Sequence, residues 1–296
     1  MNNLYLGGSE RINPFPTINF NVLFINYLFM RLACKKSKSV LKKLYLYVIL
    51  NVFKKQKGAI NIKIMEYLTE LHCHTSETSS CSTVKGADLV NIYKSKNYNA
   101  IVITDHYYKG YFDNLGDMPW EEKINRYLSG YRNAKKHGDT NKSDNIWMTV
   151  ILGIELRFAD NFNDYLVFGL NERLLYDYPM LYDYKIEKFS EFSKAHNLLF
   201  IQAHPFRNGM VIINHDYLDG IEIYNAHPWH NSRNILAEYI YEEQRKKCPF
   251  IATVGSDCHN VSHEGRAGII TKTLPENSVE LASLLRSGDY KIYKSD

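Results

Sequence analysis

From Met65 onward, short apolar runs alternate with helix-like segments, and this alternation limits the possible folds more than any other feature of the sequence. The runs are short and almost continuously apolar, which is typical of parallel strands that are buried on both faces. Strands are predicted at 67–72, 100–104, 149–154, 165–169, 199–203, 220–224 and 250–254, and helices at 87–96, 120–136, 185–196, 232–247 and 278–287. Strands that alternate with helices predict an α/β domain built on a parallel sheet.

The first 64 residues have a different composition. They hold eleven Lys and Arg residues and one acid, Glu10, whereas the rest of the chain holds 25 basic and 31 acidic residues. The apolar runs at 20–30 and 44–53 are shorter than the ~20 residues that cross a bilayer. Basic residues follow the first run, which is the wrong order for a signal peptide. The sequence therefore predicts a non-conforming basic leader at 1–64 and a body at 65–296.

Three interpretations of the leader remain open. It is a basic amphipathic segment at a membrane surface, a disordered tail, or an upstream stretch included by a mistaken choice of start codon. The last is favoured because Met65 stands just before the first predicted strand. None of the three gives the leader any chemistry, so we expect it to be dispensable for fold and activity.

Charge and cysteine usage restrict the class of protein. An acidic body argues against a broad nucleic-acid-binding surface, and neither leader run is long enough for a transmembrane span. The cysteines have no spacing typical of a disulfide framework, which favours reduced thiols and a cytoplasmic location. Two of them, Cys73 and Cys258, lie between ligand-type residues on extended chain, so their side chains should point to the opposite face as buried hydrophobes.

Residues that bind metals follow six of the seven predicted strands. In chain order they are His72 and His74, Asp105 and His106, Glu155, His204, His227, and Asp257 and His259. The carboxyl ends of the strands in a parallel α/β barrel surround one site, so these side chains should converge. Imidazole nitrogen and carboxylate oxygen suit Mn, Zn and Fe. The pattern therefore predicts a metal site at the strand ends.

Five short motifs occur in a characteristic order between Tyr67 and Gly268. They are Glu-Leu-His-Cys-His-Thr, Ile-Thr-Asp-His, Gly-Ile-Glu, Ala-His-Pro and Gly-Ser-Asp-Cys-His. Together they resemble the ordered motifs of the PHP family, which is named for polymerase and histidinol phosphatase. The resemblance implies a distorted seven-stranded (β/α) barrel similar to a TIM barrel, two or three divalent transition-metal ions (Mn, Zn or Fe), and hydrolysis of a phosphoester.

The resemblance also implies roles for individual residues. By position, one ion is held by His72, His74, Glu155 and Asp257, a second by Glu155 and His204, and a third by His106 and His259. The family often has Asp or His where this chain has Ser79 and Ser80. Many members have a histidine in the strand after the glutamate, where Asp164 is the nearest candidate here. The resemblance therefore supports two ions more strongly than a third.

Such ions neutralise phosphate charge and lower the pKa of a bound water to near ~7, so that a hydroxide can attack the phosphoester. Protonation of the leaving group needs a nearby acid, for which the candidates are Asp105, His227 and His230. Arginine forks bind phosphate well, and the candidates are Arg157, Arg207 and Arg233.

The leading hypothesis is a phosphatase or phosphodiesterase that acts on a small phosphorylated metabolite or nucleotide. A metal-dependent amidohydrolase that cleaves C–N bonds is an alternative, because such barrels also use His-x-His with a late aspartate. A catalytically weak metal-binding accessory module is a second alternative. The sequence carries no signal that defines the oligomeric state.

Overall fold

A computed structural model describes residues 65–140 and 148–295 of the 296-residue chain. The predicted leader lies outside the described residues. These residues form eleven strands: β1 (Tyr67–Cys73), β2 (Ala100–Ile103), β3 (His106–Tyr108), β4 (Thr149–Leu152), β5 (Ile154–Arg157), β6 (Asp164–Phe168), β7 (Leu199–Gln202), β8 (Gly220–Asn225), β9 (Ile251–Gly255), β10 (Ala267–Thr271) and β11 (Tyr290–Lys294).

The same residues form eight α-helices: α1 (Gly86–Ser95), α2 (Lys109–Asp113), α3 (Trp120–Tyr127), α4 (Ser129–Asp139), α5 (Glu172–Asp177), α6 (Ile186–Ala195), α7 (Asn234–Gln244) and α8 (Ser278–Ser287). Short 3-10 turns lie at Leu181–Asp183, His215–Tyr217 and Val261–His263. Within the described ranges, no helix combines the length and the apolar character that a bilayer crossing requires.

The strands form two sheets, with the orders β11-β10-β1-β2-β4 and β3-β5-β6-β7-β8-β9. Strands β1, β2 and β4 pair in parallel, as do β7, β8 and β9. Strand β10 is antiparallel to β1 and β11, and β6 is antiparallel to β5 and β7. The mixed α/β fold agrees with the prediction, but the predicted set of seven parallel strands is wrong, since β6 pairs antiparallel with β5 through a six-residue loop, 158–163, without a helical crossover.

The chain changes sheets at Gly153. The apolar run 149–154 was expected to be one strand, but β4 ends in the first sheet at Leu152 and β5 begins in the second at Ile154. A Cβ at Gly153 would lie 2.9 Å from the Thr104 side chain, so a larger residue at position 153 would clash with Thr104. This change of sheet places Glu155 inside β5.

The carboxyl ends of β1 and β9 lie in close contact. An isolated parallel bridge joins Cys73 to Cys258, and a Cβ on Gly255 would lie 2.3 Å from Cβ of His72. Glycine is therefore required at position 255. Cys73 and Cys258 are fully buried in a small apolar cluster beside α1, as the sequence predicted.

Candidate metal centre

The predicted ligands converge at the strand ends. His72 and His74 lie at and just after the end of β1, Glu155 lies in β5, and His204 and Asp257 follow β7 and β9; each is at most 2% exposed. Every predicted ligand belongs to a group of three residues whose nitrogen and oxygen atoms lie within 4.8 Å of one another. These ligands are His72, His74, His106, Glu155, Asp164, His204, Asp257 and His259.

Glu155 lies at the middle of the group and presents its two oxygens to different rings. Its Oε1 lies 3.0 Å from Nε2 of His204 and 3.3 Å from Nε2 of His72. Its Oε2 lies 3.4 Å from Nε2 of His74 and 2.7 Å from Nδ1 of His106. One carboxylate thus has ring nitrogens on both of its sides.

Asp257 completes the inner part of the cluster. Its Oδ1 lies 3.5 Å from Nε2 of His72 and 3.3 Å from Nε2 of His74. Both of these nitrogens are buried without a hydrogen-bond partner. A metal with bonds of about 2.1 Å separates adjacent ligand atoms by about 3.0–3.4 Å at octahedral or tetrahedral angles. The observed separations and the unpartnered nitrogens therefore fit a divalent metal ion.

The sequence prediction missed Glu222, a buried carboxylate of β8. Its Oε1 lies 2.9 Å from Nδ1 of His72, and its Oε2 accepts hydrogen bonds from the backbone N–H of His204 and the side-chain amide of Asn225. A carboxylate at Nδ1 fixes the tautomer and directs the Nε2 lone pair toward a metal. The available signal was a lone glutamate in an otherwise apolar strand.

The backbone is strained at two of the ligands. His204 has φ of 28° and Asp257 has φ of 49°, in a region that non-glycine residues seldom adopt. Such residues cost about 1–3 kcal/mol each and persist where surrounding contacts fix them. The Glu222 carboxylate holds the N–H of His204, and the Arg207 guanidinium holds Oδ2 of Asp257 at 2.6 Å.

The electrostatic field of the cluster favours bound cations. Burial opposes the charge of Glu155, but His106 and His72 hold its pKa well below the usual range. Burial likewise opposes the charge of Asp257, but His72 and His74 hold its pKa well below the usual range. Burial disfavours protonated His72, but Asp257, Glu222 and Glu155 raise its pKa well above the usual value. The field that attracts a proton here would equally attract a metal ion.

His106 and His259 lie at the outer side of His74, with ring centroids 4.4 Å and 4.2 Å from it. Ser79, at the position where a third-ion ligand was in question, donates its hydroxyl to Asp105 at 2.7 Å and accepts the N–H of His106 at 3.0 Å. Its hydroxyl is therefore committed to a structural role.

The three predicted phosphate-binding arginines are all engaged by the protein. Arg157 forms a bidentate pair with Asp164, with both distances 2.7 Å. Arg207 pairs with Asp257, and Arg233 donates to the backbone O of Phe206. The Oδ2 atom of Asp164 lies 4.0 Å from Nε2 of His204, so this carboxylate borders the group of proposed ligands.

The three predicted proton donors occupy different environments. Burial raises the pKa of Asp105 to about 6, but its carboxylate accepts three hydrogen bonds from Thr75 and Ser79. Burial lowers the pKa of His227 to about 3. His230 is exposed, stacks on His227 with a centroid distance of 4.6 Å, and has a pKa lowered by partial burial and by Arg207. Of the three, His230 is the one open to solvent.

Comparisons with known proteins identify a family for this chain. The family model of the PHP domain matches residues 70–269. No curated protein matches the chain in sequence.

Several solved structures resemble the fold. PsfC from Pseudomonas syringae PB-5123 is 14% identical, with 78% of this chain and 92% of that chain covered and a TM-score of 0.53. The lesion-specific endonuclease PfuEndoQ from Pyrococcus furiosus is 14% identical, with 77% of this chain covered and a TM-score of 0.50. This chain spans only 58% of the endonuclease. At these identities the likeness concerns the fold.

Proposed function

The chain belongs to the PHP domain family, and from that premise we propose that it hydrolyses a phosphoester with two divalent transition-metal ions. The arrangement of Glu155 carries the proposal. Its two oxygens lie 3.0–3.4 Å from Nε2 atoms of three different histidines, two of which have no hydrogen-bond partner. Its carboxylate could therefore help to hold two ions, as in two-metal hydrolytic sites.

In this proposal, His72, His74, Glu155 and Asp257 hold one ion, and Glu155 with His204 holds the other. Bound there, such ions would neutralise phosphate oxygens and lower the pKa of water to near ~7. Mixed imidazole and carboxylate ligands suit Mn, Zn or Fe.

The chain's own residues fix the geometry of this centre. Glu222 orients the ring of His72 and holds the strained backbone of His204. Arg207 neutralises the far oxygen of Asp257 and keeps its Oδ1 directed at His72 and His74. A rigid, buried ligand set of this kind is expected to retain its shape before metal or substrate binds.

We assign the proton donor for the leaving group to His230. Asp105 is occupied by three hydrogen bonds, and His227 is only 7% exposed. His230 is exposed, so a leaving group could approach it. Replacement by Gln should slow esters with poor leaving groups more than p-nitrophenyl esters, because p-nitrophenolate leaves with little need of a proton.

The substrate proposed is a small phosphorylated metabolite or nucleotide. The excess of acids over bases in residues 65–296 disfavours a long polyanion. One structural neighbour, an endonuclease Q complex of 15% identity and TM-score 0.50, contains a 27-mer duplex with an abasic lesion at the active site. A nucleic-acid phosphodiester is therefore the second candidate. The four described cysteines are free, which fits the proposed cytoplasmic location.

The test is a hydrolysis assay with Mn²⁺-loaded full chain on p-nitrophenyl phosphate, bis-p-nitrophenyl phosphate, a panel of phosphorylated metabolites and an abasic duplex. Turnover of a phosphoester that is lost in Glu155→Gln supports the proposal. Cleavage of the duplex alone would select the nucleic-acid candidate. Turnover of an amide or C–N substrate without any phosphoester would support the amidohydrolase alternative.

A further inference from the structure

A second group of histidines lies beside the proposed two-metal centre and supplies none of its ligands. His227, His259 and His263 each offer a ring nitrogen within 4.8 Å of the others. Their exposed fractions are 7%, 9% and 0%. Three buried imidazoles in mutual reach, without a carboxylate among them, form a ligand set of a different chemical type from the inner centre.

His263 is the least satisfied of these residues. It is fully buried, and neither Nδ1 nor Nε2 has a hydrogen-bond partner. A neutral imidazole carries one donor and one acceptor, so burying both without partners is unfavourable. The residue ends the 3-10 turn Val261–His263, which Asn260 caps through its side chain. The turn holds an unsatisfied ring in a defined place.

His259 has one nitrogen left for a ligand. Its Nδ1 lies 2.9 Å from the backbone O of Asp257, so Nδ1–H donates there and Nε2 keeps its lone pair. The group formed by His74, His106 and His259 would compete for that nitrogen. However, Nε2 of His74 faces Glu155 and Asp257, its Nδ1 lies 3.5 Å from the Ser79 hydroxyl, and Nδ1 of His106 lies against Glu155. The ring nitrogens of His227 and His263 carry no comparable commitment to a carboxylate.

The contact that His227 does make is weak. Its Nδ1 accepts the backbone N–H of Trp229 at 3.3 Å, beyond the usual range for such bonds.

We propose that His227, His259 and His263 bind one divalent transition-metal ion, in addition to the ions of the inner centre. Neutral imidazoles select ions such as Zn, Co, Ni or Cu over Mg and Ca. Three protein ligands leave a coordination position for water or an anion, as in zinc sites with three histidines. The site is independent of the hydrolysis proposed above and stands if that activity is absent.

Trp229 provides a direct readout of this site. Its ring centroid lies 4.3 Å from that of His263 and 5.7 Å from that of His227. The chain contains three tryptophans, so the contribution of Trp229 to the emission can be isolated with Trp229→Phe. A paramagnetic Co²⁺ ion at the three histidines should quench that contribution.

The experiment uses the metal-free full chain in equilibrium dialysis against Zn²⁺, and fluorescence titration with Co²⁺. Wild type should bind one more Zn²⁺ per chain than either His263→Gln or His227→Gln, and both variants should lose the quenching of Trp229. The matched control is His230→Gln. The ring of His230 stacks on that of His227 but lies outside the group of three, so this variant should keep both the extra Zn²⁺ ion and the quenching of Trp229. Trp229→Phe should lose the quenching and keep the ion.

Two results would overturn the proposal. The first is equal Zn²⁺ stoichiometry in wild type, His227→Gln and His263→Gln. The second concerns Cys81, whose thiol contacts His106 and His259. Loss of the ion in Cys81→Ser with retention in His263→Gln would assign it to the thiol instead. If His263→Gln fails to fold, His227→Gln gives the same comparison from a loop position.

Discussion

Two buried glutamates, Glu70 and Glu155, lie on strands beside the same centre and have opposite surroundings. Glu70 accepts hydrogen bonds from three backbone N–H groups and from the hydroxyls of Tyr93 and Ser256. The carboxylate of Glu155 faces histidine rings. Full burial raises the pKa of Glu70 to about 7, whereas His106 and His72 overcome burial and lower that of Glu155. A buried carboxylate that accepts several hydrogen bonds stabilises the fold, and a buried carboxylate that faces imidazole rings can hold cations.

The largest effect is expected at Glu155. Glu155→Gln removes the charge that would lie between the two ions, so turnover should fall by about 10²–10³-fold or more. Thermal unfolding should change little, because Gln preserves the volume. Steady-state kinetics and a melting curve on the same sample check this. Near-normal turnover would make Glu155 an ordinary buried acid.

Glu222 combines both kinds of surroundings, since its carboxylate contacts the ring of His72 and accepts a hydrogen bond from the backbone N–H of His204. Glu222→Gln should weaken metal binding by about 10–100-fold, as loss of a carboxylate behind a ligating histidine commonly does. Competition with a chelator measures the change, and Glu191→Gln, an exposed acid of α6, is the control. Unchanged metal affinity in Glu222→Gln would remove its proposed positioning role.

At Glu70 the effect should fall on stability. Glu70→Gln replaces one accepting oxygen with an amide donor facing two hydroxyls, which should lower the free energy of unfolding by about 1–3 kcal/mol. Urea denaturation measures this loss. The folded variant should retain its metal stoichiometry. Loss of an ion at unchanged stability would reverse the roles assigned to Glu70 and Glu155.

The smallest effect is expected at Arg157, which is partly exposed and pairs with Asp164. Arg157→Lys keeps the positive charge but loses one of the two hydrogen bonds to the buried Asp164, which should cost about 1 kcal/mol of stability. KM for a phosphoester should stay within about threefold if Arg157 serves Asp164. A much larger rise in KM would restore its predicted role as a phosphate fork.

The proposed ligands are easier to identify from the sequence than the residues that support them. Ligands such as His72 and Asp257 follow apolar runs directly, and the strand starts at Tyr67 and Ala100 match the structure. The partners of these ligands come from distant positions: Glu222 is 150 residues from His72, and Arg207 is 50 residues from Asp257. Local pattern carries no information on such pairs.

The missed strands have a similar cause. Strand β3 has only three residues, and β10 and β11 are followed by no ligand motif. The division of the run 149–154 into β4 and β5 depends on which sheet accepts each half, and this is decided by tertiary packing around Gly153. Periodicity identifies an apolar run but does not assign it to a sheet.

The central claim is that the cluster around Glu155 is a catalytic metal centre. The most direct measurement is the rate of p-nitrophenyl phosphate hydrolysis by the full chain as a function of bound Mn²⁺ per chain. Metal-free protein should show negligible turnover, and the rate should rise steeply as the second ion binds. Equal turnover in chelator-treated and loaded protein, or no turnover of any phosphoester with two ions bound, would contradict it.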